Sequence, residues 1–402
     1  MSTAIREIDY LAARRDTPGC EQVIHFDNAG ASLMPLPVLN AMLEHLELEA
    51  AIGGYAAQAR AHDRLEHAYD ALARLLGCSR DEVAVVENAT RAWDMAFYAL
   101  PIGGGDRILT SVAEYASNYI PFLQVCRRTG ATVQVIPNDG YGQISVAALR
   151  EAIDERVRLI ALTHVPTNGG LVNPADEVGR VARSAGIPFL LDACQSVGQM
   201  PVNIDDIGCD MLSATGRKFL RGPRAIGFLY VRRGFLETLE PPFLDLHAAE
   251  WVGQDQYRIR PDARRFENWE TNCAAKIGLG VAVDYALEWG LESIERRVTA
   301  LADLLRSRLA ELPGVTVTDV GRRQCAIVTF KVRDTESKRI RDYLGARQIN
   351  VTVSDASATR LDFEARNLPP LVRASVHYFN TEAEIDCLCD ELRRALSCGA
   401  LV

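Results

Sequence analysis

The sequence predicts an α/β protein: a large domain with a mostly parallel sheet covered by helices, followed by a smaller α+β domain toward the C-terminal end. Three observations predict it. Between about residues 80 and 235, short β-branched runs alternate with amphipathic stretches. Most of the runs are continuously apolar instead of alternating, as strands buried on both faces must be. Beyond residue 312, strand-like and helix-like segments follow one another in mixed order. The 402 residues, 48% hydrophobic and 24% charged, exceed one small core and have the composition of an ordinary globular protein. The expected division is an N-terminal segment, 1–20, packing with the small domain; a large domain, 21–290; and a small domain, 291–402, entered through a linking helix over 291–312.

Taken in order, the strand-like runs are Val83–Val86, Arg107–Ser111, Thr132–Ile136, Leu159–Thr163, Pro188–Leu191 and Ala225–Val231. In such sheets ligands bind beyond the carboxyl ends of the strands. Glu87-Asn-Ala-Thr90, His164, Asp192 and Ala214-Thr215 each stand directly after a strand-like run. From Ile277 the pattern turns helical, with Leu301, Leu304, Leu305, Leu309 and Leu312 at three- and four-residue steps, until Pro313-Gly314 stops it. A strand is expected over Cys325–Val332, a helix over Glu336–Arg347 and a strand over Leu371–Val376. The last helix opens with the capping box Thr381-x-x-Glu384, ahead of an apolar stripe of Ile385, Leu388, Leu392 and Leu396.

The formal net charge of −9 argues against a nucleic-acid partner, because phosphate contacts need clustered Lys and Arg. A small molecule is the expected partner. The ten cysteines show no C-x-x-C spacing, so no metal site is expected, and they read as reduced thiols of a cytoplasmic protein. Met1–Tyr10 is charged and lacks an apolar core, and no run of eighteen apolar residues occurs. Neither export nor membrane insertion is expected.

The chemistry concentrates in two motifs. Asp192 closes the run Ile187–Asp192, and Ser213-Ala-Thr-Gly-Arg-Lys218 follows it. A buried carboxylate that keeps a pyridine nitrogen protonated, with a lysine that makes a Schiff base to the ring's aldehyde, is what holds pyridoxal 5'-phosphate (PLP). Lys218 is therefore the candidate catalytic residue, between glycines at 216 and 222 that let the backbone approach a ligand. Asp192 is assigned to the ring nitrogen and Gln195 to the phenolic oxygen; alone, Asp192 reads equally as a helix cap. Val86–Met95 reads as strand, turn and helix start, so the amides of Ala89 and Thr90 point at an anion, with the Thr90 hydroxyl either a phosphate contact or a plain cap. Thr215 and Arg217 add a hydroxyl and a charge-assisted bond. Thr167 and Asn168 stand either near the ring edge or in a plain glycine turn.

On these motifs the chain resembles the class V, fold-type I PLP enzymes, which include cysteine desulfurases, selenocysteine lyase, isopenicillin N epimerase and C–S lyases. The likeness runs from His25-Phe-Asp-Asn-Ala-Gly30 to Thr381–Asp386 and is carried by Thr163–Pro174, Asp192–Gly198, Thr215–Lys218 and Val372–Val376. The resemblance implies an aspartate aminotransferase-like fold and the roles given above for Lys218, Asp192, Gln195, Thr90, Thr215 and Arg217. It also implies Arg373 as the fork for the substrate α-carboxylate, which suits a planar bidentate donor. Family members are homodimers whose neighbouring subunit completes each phosphate cup, here from Arg265–Asn272, where Thr271 stands one place later than the family pattern. Where many relatives place a ring-stacking histidine this chain has Tyr115, which leaves Tyr115 or Trp93 for that role.

A desulfurase carries its sulfur-accepting cysteine in the segment that here reads Asn350–Arg360, yet no cysteine lies between Cys325 and Cys387. A housekeeping cysteine desulfurase is therefore disfavoured, and Ser354, Ser357 and Arg360 bring the chain nearer the lyase and epimerase branch. Arg360 is a candidate for a second acidic group of the substrate, or a surface ion pair. Cys325 is expected to be a buried structural thiol. The expected reaction is β-elimination from a cysteine S-conjugate or sulfoxide, with aminotransferase and epimerase as alternatives. A ligand-binding relative that kept the fold and lost the chemistry is the reading from another class. A nucleotide-binding dehydrogenase is weaker, since Gly103-Gly-Gly105 precedes a strand and no G-x-G-x-x-G opens a helix.

Overall fold

The computed structural model of the protein describes residues 7–398. The start of Met1–Tyr10 and of the 1–20 segment, and the last four residues of the 291–402 range, lie outside the described residues.

Seven strands form the large sheet: β1 (Val83–Val86), β2 (Arg107–Ser111), β3 (Thr132–Ile136), β4 (Val157–Thr163), β5 (Phe189–Asp192), β6 (Met211–Thr215) and β7 (Gly227–Val231). Their order is β1-β7-β6-β5-β4-β2-β3, and β7 alone runs against its neighbours. Every residue of β1, β5, β6 and β7 is buried, as helices on both faces require. Each Val, Leu or Ile so buried stabilises the fold by about 1.5–3 kcal/mol. All six predicted runs form strands. The seventh, β6, has no counterpart among them; Ala214 and Thr215 lie inside this strand and not beyond it.

The helical pattern after Ile277 is two helices, Cys273–Trp289 and Leu291–Ala310, separated at Gly290. The small sheet is antiparallel, in the order Val315–Val317, Ile327–Val332, Leu371–Ser375, Thr352–Ser354. The final helix, Glu382–Ser397, carries both halves of the predicted capping box: Glu384 N donates to Thr381 Oγ1 at 3.2 Å, and Thr381 N to Glu384 Oε2 at 3.0 Å. Such a cap contributes about 1 kcal/mol.

The N-terminal chain joins the small sheet's surroundings. Ile24-His25 pairs in parallel with Ile349-Asn350, and Arg14 meets Glu384 at 2.7 Å. Arg221, fully buried, reaches three segments at once: Leu33 O at 3.0 Å, Tyr378 Oη at 2.7 Å, and Thr17 Oγ1. The lysine loop is thereby held against both the N-terminal chain and the small sheet. Among the described residues no helix is long and apolar enough to cross a membrane.

Candidate active site

Three parallel strands deliver their last residues to one edge. Thr163 of β4 stands in register with Asp192 of β5, and Asp192 with Ser213 of β6. Lys218 follows β6 on a tight turn closed by Arg221 N to Lys218 O at 2.9 Å and Gly222 N to Gly216 O at 2.8 Å. The turn lies directly on Gly198, where a Cβ would come within 2.4 Å of Leu220 N and Phe219 C, and whose φ is +92°. Only glycine allows that approach, so the sequence around Asp192 seats the lysine that follows it.

Lys218 is half-buried, and its Nζ takes no hydrogen-bond partner among the described residues. Burial pushes its pKa below that of a free lysine, while Cys194 and Asp192 pull it back up. Asp192 is buried; its Oδ1 accepts from Cys194 N at 2.9 Å and its Oδ2 from Asn118 Nδ2 at 2.8 Å. A carboxylate has about four acceptor positions, so room remains for a further donor. Gln195 Nε2 donates one N–H to Ala29 O at 3.1 Å and keeps the other, and its Oε1 is buried without a partner. His164, just beyond β4, is pushed down to about 4 by burial and is therefore neutral at physiological pH.

The anion-binding parts are brought together by a second glycine. Thr215 pairs with Gly227 across β6 and β7, and a Cβ at Gly227 would fall within 2.9 Å of Ala89 N and 2.8 Å of Asn88 C. The start of helix Ala89–Phe97 therefore rests beside Thr215. Asn88 Oδ1 caps this helix by accepting from Arg91 N at 2.9 Å, which leaves the first-turn amides of Ala89 and Thr90 without intrahelical partners. Arg217 donates to Thr215 Oγ1 at 3.0 Å and has no carboxylate partner among the described residues. A half-buried cation, a hydroxyl and two free amides at a helix N-terminus form a cradle for a phosphate.

Arg373 is buried 8% exposed, and donates through Nη1 to Thr167 O at 3.1 Å and Oγ1 at 2.6 Å, and through Nη2 to Asp27 Oδ1 at 3.1 Å. Its Nε is buried without a partner. One edge of the fork is thus fixed by the protein, and the edge formed by Nε and the second Nη2 hydrogen is open to a carboxylate. Tyr115, half-buried, lies near enough to Arg373 to act on its charge, whereas Trp93 packs against Phe122 in the core with ring centroids 6.0 Å apart. Of the two candidates for ring stacking, Trp93 is thus held in the core, away from the strand edge.

Two expected contacts stand elsewhere. Asn168 does not present its amide to the edge: Nδ2 donates to Asp362 at 3.1 Å and Oδ1 accepts from Thr359 at 2.7 Å, because the 359–362 segment folds over it. Arg360 points to solvent, 69% exposed, and pairs with Glu364 one helical turn on at 3.1 Å. The ion-pair alternative is the one observed. Thr271 lines a separate cavity with Tyr55, Arg264, Trp269 and Lys276, away from Lys218. Cys325 is buried as expected, and burial pushes its thiol up to about 11. Sequence reasoning missed Asn118, Glu114 and Asp27; the first two stand four residues apart at a helix start, a spacing that signals a shared face but no function.

A free half-buried lysine, an acid with room for one more donor, an amide with a spare N–H and a phosphate cradle fit PLP group by group. The comparisons agree. A profile of the family described as aminotransferase class-V matches residues 24–388. The chain belongs to that family and is a PLP-dependent enzyme. A protein named probable cysteine desulfurase from Methanothermobacter thermautotrophicus is 28% identical over 392 residues, which cover 96% of this chain and 98% of the relative. Another of that name from Xylella fastidiosa (strain Temecula1) is 31% identical over 390 residues, covering 94% and 92%. The apo structure of a cysteine desulfurase from Thermococcus onnurineus, 27% identical, superposes with a TM-score of 0.91 over 98% of this chain and 100% of that one.

Proposed function

We propose that the protein catalyses a PLP-dependent β-elimination that releases the sulfur group of a cysteine S-conjugate or sulfoxide. One observation carries this reading. The segment Asn350–Arg360, which Thr359 ties to Asn168, holds Ser354 and Ser357 but no cysteine, and none occurs between Cys325 and Cys387. Sulfur leaving the substrate finds no thiol there and departs as a small molecule.

The side chains divide the work. Arg373 grips the substrate carboxylate through its open edge. Lys218, kept neutral to lower pH by burial, takes the α-proton and returns it to the leaving sulfur. A positioned base contributes about 10²–10⁴-fold to such a step. Asp192 would hold a proton at the ring nitrogen of a bound PLP, Gln195 would hydrogen-bond its phenolic oxygen, and Ala89, Thr90, Thr215 and Arg217 would hold its phosphate. When bound, PLP supplies an electron sink conjugated to the α-carbon.

A second reading has its own observation. Cys194 lies beside Lys218 and Asp192, and transfer of substrate sulfur to this thiol would make the protein a desulfurase with an unusual acceptor; burial pushes the thiol well above its ordinary pKa, which opposes that role. We further assign Thr271 to the phosphate site of a neighbouring subunit in a homodimer, a reading supported by the exposed Tyr55 and Trp269 that line the same cavity. The domain division 1–20, 21–290 and 291–402 and a cytoplasmic location complete the proposal.

Incubation with cysteine conjugates, a cysteine sulfoxide and plain amino acids in D₂O tests it. Pyruvate with thiol or sulfenate release is expected. Amino transfer to a keto acid means an aminotransferase, deuterium exchange alone an epimerase, and alanine with a persulfide on Cys194 the second reading. A protein that takes up no PLP would leave only the ligand-binding relative.

A further inference from the structure

We infer that Glu114, acting through Asn118, orients the Asp192 carboxylate toward the cofactor's ring nitrogen. The inference rests on the role proposed above for Asp192. Glu114 is buried, 3% exposed, and has no cationic partner among the described residues. Its carboxylate receives donors instead: Thr110 Oγ1 at 2.7 Å on Oε2, and Tyr115 N at 2.8 Å, Asn118 Nδ2 at 2.9 Å and Thr163 Oγ1 on Oε1. Two of these donors sit at the ends of the central strands β2 and β4, so the acid is fixed to the sheet itself. An apolar residue here would leave these buried donors without an acceptor, and the one among them that leads to the site says what the acid is for.

Asn118 supplies the reason. Its Nδ2 donates to Glu114 Oε1 and, at 2.8 Å, to Asp192 Oδ2. Turned over, the same amide would set its carbonyl oxygen against two carboxylates. Glu114 therefore decides which end of Asn118 meets Asp192. With Oδ2 held by Asn118 and Oδ1 held by Cys194 N at 2.9 Å, the Asp192 carboxylate cannot rotate without breaking a bond at each oxygen. Its remaining acceptor positions keep one direction, which is what a ring nitrogen needs from its partner. Glu114 is a positioning residue: it touches neither substrate nor cofactor.

The test uses the PLP-loaded enzyme and four variants: Asp192→Asn, Glu114→Gln, Asn118→Ala and the double variant Glu114→Gln/Asn118→Ala. Three quantities are read: the PLP dissociation constant from equilibrium dialysis, the position of the visible absorption band, and Tm at saturating PLP. Glu114→Gln is expected to weaken PLP retention on the order of tenfold, the size of outer-shell effects at other sites, and to shift the band in the same direction as Asp192→Asn. In the Asn118→Ala background the same change is expected to add less than about twofold, because its route is already cut. The inference is overturned if Glu114→Gln lowers Tm alone, or if the two effects multiply in the double variant. Should Glu114→Gln not fold, Asn118→Ala decides, since an unchanged band and PLP constant there also overturn it. If Asp192→Asn itself moves neither band nor constant, the reading of Asp192 fails instead.

Discussion

Two lysines are withdrawn from water in this protein, and they differ in what surrounds them. Lys276, on helix Cys273–Trp289, donates to Tyr69 Oη and stands 4.0 Å from Glu267. Tyr69 donates to Glu267 at 2.8 Å, Val85 N reaches the same carboxylate at 2.7 Å, and the Arg264 guanidinium lies 3.7 Å from the Tyr69 ring centre. Lys218 has no such set: its Nζ bonds to nothing among the described residues, and the charges that raise its pKa are those of Cys194 and Asp192. Burial lowers the pKa of both. A depressed pKa therefore does not separate a structural lysine from a chemical one. Partners do: Lys276 is bonded to Tyr69 and faces Glu267, while the Lys218 Nζ bonds to no group among the described residues.

The comparison breaks most readily at Lys218. Lys218→Ala is expected to lower turnover by at least roughly 10³-fold while the protein stays folded, with substrate consumption as the measurement; ordinary turnover would remove the lysine from its role. The next effect falls on the other lysine. Lys276→Met removes the cation from the buried Glu267–Tyr69 pair and is expected to cost about 3–5 kcal/mol in urea unfolding of the apo protein. The same experiment on Lys218→Met has the opposite sign. Its folded pKa is depressed, so the charged form burdens the native state at pH below that value, and the burden vanishes as pH rises past the ordinary 10.5. Lys218→Met should then raise the Tm of the apo protein at pH 7 and leave it unaltered above pH 11.

Smaller effects sharpen the picture at the two candidate substrate arginines. Arg373→Ala removes the open edge of the fork and is expected to raise KM for amino acids by on the order of 2 kcal/mol, about thirtyfold. Arg360→Ala, whose partner Glu364 is 60% exposed, should change KM and stability by less than about 0.5 kcal/mol. A large KM effect from Arg360→Ala would mean that the 350–360 segment turns inward when substrate binds.

Much of this was legible in the chain. Apolar runs bounded by turn residues marked six of the seven large-sheet strands, since a strand buried on both faces needs no partner information to be recognised. Thr381 and Glu384 marked the last helix, because a capping box is complete within one turn. The seventh strand escaped; that its polar Ser213 and Thr215 are buried is settled only once β5 and β7 flank them. Asn168 and Arg360 were each left between two alternatives for a related reason. Neither residue's local sequence shows that the 359–362 segment folds over the first and turns the second outward.

The sequence by itself determined the class of fold and the cofactor, and it singled out Lys218 and Asp192 as candidates, because these readings depend on short motifs and on periodicities within single elements. Tertiary structure alone decided that Asn118 and Glu114 stand behind Asp192, that Asp27 and Thr167 hold one edge of Arg373, and that Lys276 is tied while Lys218 is free. Each of these joins residues tens to hundreds of positions apart. Such pairings are settled by how strands and helices pack, and packing leaves no local signature in either partner.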